Sequence, residues 1–173
     1  MKQNLILIGF MGSGKSTVGR ELAKVLEMNF VDTDHYIENK EKMKVKDIFS
    51  LKGEKYFREV EAKYVKEISK MNNTVISTGG GVVSSNINIM LLKRNGFVVY
   101  LDCTVECIYK RVSRRNTRPL LNNVKDLYSR ILELLNERVD NYKKYMDAKV
   151  YINSKTNIWD TVEKIKKLYI KFD

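Results

Sequence analysis

Histidine occurs once in this chain of 173 residues, proline once and cysteine twice. A single histidine, His35, excludes a metal centre built from several imidazoles and any triad with a histidine base. Cys103 and Cys107 have no second Cys or His pair to complete a ligand set. That argues against zinc and for two small buried thiols in a reducing compartment. No apolar run approaches the roughly 18 residues of a membrane helix. The first strand pattern starts so early that no room is left for a signal peptide ahead of it. A cytoplasmic protein without a membrane partner is expected. Pro119 is the only proline, and there is no repeat, low-complexity tract or Gly/Ser-rich linker. Residues 1–173 therefore read as one domain, long enough to bury a core.

Acidic residues are also in deficit, 21 against 32 Lys plus Arg, for a formal charge of +11. Such an excess favours anionic ligands, nucleic acid among them. The lysines are strung along helical segments (Lys40, Lys42, Lys44, Lys46; Lys164, Lys166, Lys167, Lys171) and form no patch interleaved with aromatics. They read as solvated faces, and no nucleic-acid partner is expected. A guanine-reading N-K-x-D is missing too, since Asn123-Val124-Lys125-Asp126 does not qualify. That argues against a GTPase switch.

What is present is centred on Gly9-Phe10-Met11-Gly12-Ser13-Gly14-Lys15-Ser16-Thr17, which fits G-x-x-x-x-G-K-[ST]. A buried-strand run, Leu5 to Ile8, precedes it, and a helical pattern of Val18, Leu22, Val25 and Leu26 follows. Strand, glycine loop and helix form the context in which this motif holds phosphates. Glycines let successive backbone N–H groups turn inward as an anion nest at a helix N-terminus. Lys15 can then reach the β- and γ-phosphates, and the Ser16 hydroxyl can ligate Mg²⁺. The nucleotide-binding set is Gly12, Ser13, Gly14, Lys15, Ser16 and Thr17, with a nucleoside triphosphate and Mg²⁺ as the implied ligands.

Helical and strand periods alternate along the rest of the chain. Strands are expected near 4–8, 30–31, 74–77, 97–101 and 149–152. Helices are expected from the loop to about Met28, then near 34–40, 45–51, 86–95, 105–112 and up to Tyr145, with one more at the C-terminus. Gly53 opens a longer helix in which Phe57, Val60, Tyr64, Ile68 and Met71 share a stripe. Five short strands separated by helices predict an α/β fold, a parallel sheet in three layers with ligands at the carboxyl ends of the strands.

Asp32 and Asp34 follow the second strand. One residue apart in an extended segment, they would face opposite sides, one toward Mg²⁺ and one toward a second substrate. Alternatively, Asp34 caps a helix beginning near Tyr36. Gly79-Gly80-Gly81 follows the third strand, where a ligand approaching the backbone, or simply a tight turn, would favour glycine. Arg138 falls within an apolar stripe of Leu127, Ile131, Leu134, Leu135, Tyr142 and Tyr145, so it needs an anionic partner. Glu54, Glu59 or Glu61 could serve, as could a ligand carboxylate. Arg111, Arg114, Arg115 and Arg118 surround an irregular segment, about 113–124, with the character of a lid.

These residues together resemble the shikimate kinase family. Its P-loop, G-x-x-G-x-G-K-[ST]-x-x-G, is matched at Gly9, Gly12, Gly14, Lys15, Ser16 and Gly19. Its D-T-D is Asp32-Thr33-Asp34, its F-R-x-x-E is Phe57 to Glu61, and its G-G-G is Gly79 to Gly81. Its R-P-L-L is Arg118 to Leu121, and its helix arginine followed by tyrosine is Arg138 and Tyr142. The resemblance implies a P-loop fold of the nucleoside monophosphate kinase type, a five-stranded parallel sheet in the order 2-3-1-4-5, and a mobile lid. It implies transfer of the γ-phosphoryl group of ATP to the 3-hydroxyl of shikimate, in aromatic amino-acid biosynthesis.

Carried over, Asp34, Arg58, Gly80 and Arg138 would bind shikimate, with Gly79 and Gly81 beside them, in a helical region at about 33–61. The two arginines would take its carboxylate. Asp34, Lys15 and Arg118 would be catalytic, and Lys15 and Arg118 would hold phosphates. Ser16 and Asp32 would hold the metal, Asp32 through water. Arg111 would stack on adenine, with Asn153 and Ser154 as weaker adenine-loop candidates. A monomer is expected. Rival readings are another small-metabolite kinase, such as a gluconate kinase, a nucleotide-dependent regulator, and a nucleic-acid-binding module.

Overall fold

The first strand, β1 (Asn4–Ile8), is buried at every residue, as a central parallel strand covered on both faces must be. Its alternation splits the core in two: Leu5 and Leu7 join one apolar cluster, Ile6 and Ile8 the other. The computed structural model describes residues 4–113, 119–121 and 126–172. Four further strands pair in parallel with β1 or with each other: β2 (Asn29–Asp32), β3 (Thr74–Ser77), β4 (Gly96–Cys103) and β5 (Ala148–Ile152). The order across the sheet is β2-β3-β1-β4-β5, as the family resemblance implied. Register is set by pairs such as Leu5 with Val75 on one side and with Phe97 on the other.

The helices are α1 (Lys15–Val25), α2 (Thr33–Glu41), α3 (Val45–Ile68), α4 (Asn86–Lys93), α5 (Val105–Val112), α6 (Leu127–Tyr145) and α7 (Ile158–Phe172). Val18 and Leu22 of α1, Ile165 and Tyr169 of α7, and Ile131 and Leu134 of α6 share the Leu5 cluster. Val65 and Ile68 of α3, Ile89 and Leu92 of α4, and Tyr142 and Tyr145 of α6 share the Ile6 cluster. A smaller cluster of Ile37, Ile48, Phe57, Val60 and Tyr64 joins α2 to α3. No described helix is long and apolar enough to cross a membrane.

Three local features depart from the periodicity. Helix α1 stops at Val25 rather than near Met28, because Glu27 turns left-handed (φ 54°) and Met28 N–H returns to the Ala23 carbonyl. Strand β4 extends beyond 97–101 at both ends, since its neighbours β1 and β5 supply hydrogen-bonding partners from Gly96 to Cys103. Gly53 (φ 81°, ψ 169°) breaks α3 internally, so the expected separation between 45–51 and the longer helix is a sharp joint in the chain.

Candidate active site

All five strands deliver their carboxyl ends to one side of the sheet, and the described candidate residues gather there. Gly14, at φ 101°, ends the β1–α1 loop and occupies the cap position of α1, a conformation that costs other residues dearly. Lys15 is buried, and its Nζ donates to the Gly9 and Phe10 carbonyls at 2.8 and 3.0 Å. Ser13 Oγ is buried without a hydrogen-bond partner. Left-handed glycines, a helix N-terminus, a lysine and an orphaned hydroxyl suit a phosphate chain chemically.

Asp32 and Asp34 do not share one extended segment. Asp32 is the N-cap of α2: its Oδ1 accepts from the N–H groups of Asp34 and His35, at 3.1 and 3.2 Å. Asp34 lies inside the first turn of the helix, so the cap is Asp32 and not Asp34. The competing requirement that won is satisfaction of the free N–H groups at the helix start. The other oxygen of Asp32, Oδ2, accepts from Ser16 Oγ at 2.5 Å, and Ser77 Oγ is 3.3 Å from Ser16 Oγ. Hydroxyl and carboxylate oxygens are donors suited to Mg²⁺, which takes one or two carboxylates and completes its shell with phosphate and water. No cluster of three or more His, Cys, Asp or Glu exists among the described residues.

The cleft above the loop has a volume of about 600 Å³. Gly12 to Thr17 line it, with Asp32, Asp34, Gly80, Lys110, Arg111, Ser154 and Thr156 around the rim. Arg111 Nη1 donates to the Gly12 carbonyl at 3.0 Å and contacts Cys103 Sγ at 3.8 Å. Ser154 reaches the cleft wall. Asn153 does not line it; its side chain is taken up in its own turn, accepting from Lys155 N and Thr156 Oγ1. Cys103 and Cys107 are both free and buried, as expected. Burial pushes the Cys103 thiol up to about 12, with Cys107 beside it adding to the effect. Arg118 lies outside the described residues, as do Arg114 and Arg115. Of the segment expected as a lid, Pro119–Leu121 form a 3₁₀ turn.

A second, small cavity of about 50 Å³ adjoins the cleft. Arg58, Glu61, Gly79, Gly80, Gly81 and Arg138 line it beside Val45, Phe49, Phe57 and Leu120. Asp34, Met11 and Gly80 line both cavities, so they stand at the border between them. The three glycines are needed for close approach rather than for unusual backbone angles, since none has positive φ. A Cβ at Gly79 would come 2.7 Å from Asp34 Oδ1, at Gly80 2.9 Å from Met11 N, and at Gly81 2.7 Å from Arg58 Nη1.

The two arginines differ. Arg58 is ion-paired to Glu54 and Glu61, at 2.9 and 2.8 Å. Burial alone would lower the Arg58 pKa, but the two carboxylates together raise it. Burial pushes the Glu61 carboxyl up, against the pull of Arg58 and Arg138. Arg138 is only 5% exposed, and no carboxylate of the described residues lies within 4 Å of its guanidinium. It donates to the Gly80 carbonyl at 3.4 Å and lies over the Phe10 ring. Of the alternatives open for it, a direct ion pair with Glu54, Glu59 or Glu61 is therefore not formed. A buried guanidinium without a carboxylate is costly, and it faces the small cavity.

Sequence reasoning named Glu61 as a possible arginine partner but gave it, Met11 and Lys110 no place among the site residues. Glu61 sits three residues after Arg58 on a helix, a spacing that brings the two side chains together. Met11 stands within the phosphate loop itself, whereas Lys110 carries no local signal and reaches the cleft only through the tertiary fold.

Comparison with known proteins agrees with this geometry. The family described as shikimate kinase matches residues 11–169. A shikimate kinase of Caldanaerobacter subterraneus subsp. tengcongensis is 42% identical over 169 residues, covering 98% of this chain and 97% of its own. One from Sulfurihydrogenibium sp. is 48% identical over 141 residues, 82% and 83% of the two chains. The solved structure of shikimate kinase from Acinetobacter baumannii in complex with shikimate superposes with a TM-score of 0.95. It is 35% identical and covers 100% of this chain and 96% of that one.

Proposed function

The chain belongs to the shikimate kinase family, and from that membership we propose how its own residues divide the work of phosphorylating the 3-hydroxyl of shikimate with ATP. Arg58 and Arg138 grip the shikimate carboxylate, Arg58 held in place by Glu54 and Glu61. Gly79, Gly80 and Gly81 bring the backbone close to the ring. Asp34 orients the acceptor hydroxyl and takes its proton at a carboxylate oxygen as the new oxygen–phosphorus bond forms and the bond from the γ-phosphorus to the β,γ-bridging oxygen breaks, ADP leaving with that electron pair.

The loop from Gly12 to Thr17 holds the phosphates through its N–H groups, Lys15 and the Ser13 hydroxyl. Arg118, assigned only by its R-P-L-L signature, adds positive charge beside them, where charge develops in the transition state. Arg111 and Ser154, with Asn153 at the base of its turn, form the adenine side of the cleft. Ser16 and Asp32 would hold Mg²⁺, which when bound neutralises charge on the β- and γ-phosphates. Positioning supplies most of the acceleration. The protein acts as a single-domain monomer in the cytoplasm, which light scattering tests by a mass near 20.2 kDa rather than a multiple of it.

One observation supports this division above the others. Asp34, Met11 and Gly80 line both the phosphate cleft and the cavity that holds Arg58 and Arg138. A base at that border can reach a hydroxyl on a carboxylate-bearing ring and a phosphate at once. ADP release from Mg²⁺-ATP, measured with shikimate, quinate or gluconate, tests the reading. Release dependent on shikimate alone is expected; release with gluconate instead would overturn the acceptor assignment.

A further inference from the structure

Arg138 is one of two donors to a single acceptor. The Gly80 carbonyl accepts from Tyr142 Oη at 2.5 Å and from Arg138 Nη1 at 3.4 Å. The phenol takes the short bond and leaves the guanidinium the long one. Both side chains come from α6, one helical turn apart, and both are buried. The Tyr142 ring lies flat against Tyr100 of β4, 4.9 Å between centroids and 13° between planes. Its hydroxyl thus has a fixed address. Burial raises the Tyr142 pKa despite the nearby guanidinium, so the phenol remains a donor through the neutral range.

The acceptor has a fixed address too. A Cβ on Gly80 would meet Met11 N at 2.9 Å, so the Gly80 α-carbon is pressed against the phosphate loop. With the Gly80 α-carbon backed against that loop, the arginine side chain is the partner freer to move if the phenol is lost. The Gly80 carbonyl is half-buried and shielded in part from water, which favours a full hydrogen bond within the protein, and an ordinary N–H···O distance is about 2.9 Å. Arg138 would be drawn roughly 0.5 Å toward Gly80, which lines the same small cavity, and so out of its place in the cavity wall.

We propose that Tyr142 is a positioning residue for acceptor binding: its hydroxyl saturates the Gly80 carbonyl and so leaves the Arg138 guanidinium turned toward the anionic end of the acceptor. This rests on the assignment of Arg138 to the shikimate carboxylate. The claim differs from a packing role, which the Tyr100 stack alone would fill.

Tyr142→Phe keeps the ring and removes only the donor, and Arg138 remains to satisfy Gly80. The variant should melt within a few degrees of the parent. Its KM for shikimate should rise about tenfold, the scale of one charge-assisted hydrogen bond put out of line. KM for ATP and kcat should stay within about twofold. The same substitution in an Arg138→Lys background should add less than about twofold, because the group it acts through is already gone. An unchanged shikimate KM in Tyr142→Phe would overturn the proposal, as would a full tenfold loss in the Arg138→Lys background. Equal rises in both KM values would also overturn it, pointing to general loosening of the sheet end. If Arg138→Lys alone leaves shikimate KM unchanged, the carboxylate assignment fails and the proposal falls with it. If Arg138→Lys raises KM and Tyr142→Phe does not, the assignment stands and only the positioning role is lost.

Discussion

Three alanine substitutions in adjacent glycines should fail in three different ways. At Gly80 an added Cβ would lie 2.9 Å from Met11 N and 3.5 Å from Met11 Cα and Phe10 C, all backbone. Comfortable non-bonded carbon contacts begin near ~3.5 Å, so about 0.6 Å has to be found between two stiff segments. Overpacking of that kind costs roughly 1–3 kcal/mol. At about 2–4 °C per kcal/mol for a chain of this size, the melting temperature of Gly80→Ala should fall by roughly 2–12 °C. Because the displaced Met11 borders both cavities, KM should rise for ATP and for shikimate alike.

At Gly81 the new Cβ meets the far end of a side chain, Arg58 Nη1 and Nη2 at 2.7 and 2.8 Å. The guanidinium can move, so stability should change little while shikimate KM rises about tenfold from one lost charge-assisted contact. At Gly79 it meets Asp34 Oδ1 at 2.7 Å. Displacing the proposed base by a fraction of an ångström should lower kcat by roughly 10–100-fold with smaller changes in either KM. Steady-state ADP release with each substrate varied, beside a thermal melt, reads all three. Parallel losses in every parameter across the three variants would refute the reasoning, because they would show that the turn acts as one unit whatever each glycine touches.

Replacing Asp34 by Asn should lower kcat by about 10²–10⁴-fold, the usual contribution of a positioned general base; full turnover with ATP binding intact would remove Asp34 from its role. Arg138→Met should leave the melting temperature of the ligand-free protein unchanged or raised, since a buried cation without a carboxylate is exchanged for an apolar side chain of similar length. The same variant should lose the thermal shift that shikimate gives the parent, and a large drop in the ligand-free melt would show that Arg138 is structural. Glu41 accepts from the hydroxyls of Tyr64 and Tyr56 at 2.8 and 2.9 Å, and those bonds hold its carboxyl below the ordinary 4.5. A depressed carboxylate stabilises above its unfolded pKa and loses that contribution as pH falls through its folded value. Melting temperature should therefore fall below about pH 4.5 less steeply in Glu41→Gln than in the parent; identical slopes would mean that the tyrosine pair contributes nothing to the pH dependence.

Much of the fold is written in short stretches. Leu5 to Ile8 before Gly9 to Ser16, and Val18 and Leu22 after, suffice for a strand, an anion-binding loop and a helix, because these interactions lie between near neighbours in the chain. Gly53 likewise marked the start of a helix from its own type, and the backbone does break there. The Asp32-Thr33-Asp34 segment was misread locally for the same reason. Periodicity alone placed the helix start too late, so the free N–H groups of Asp34 and His35 were not in view as partners for Asp32.

By itself the sequence determined the elements, the phosphate loop and the residue types that serve anions, since each follows from period, backbone freedom or charge over a few residues. The tertiary structure decided the pairings. That among the described residues no carboxylate pairs with the buried Arg138, and that Gly80 meets Met11 and Tyr142, are facts about segments far apart in the chain. Those contacts exist only because parallel strands deliver their carboxyl ends to one edge, where distance through space and separation along the chain become unrelated.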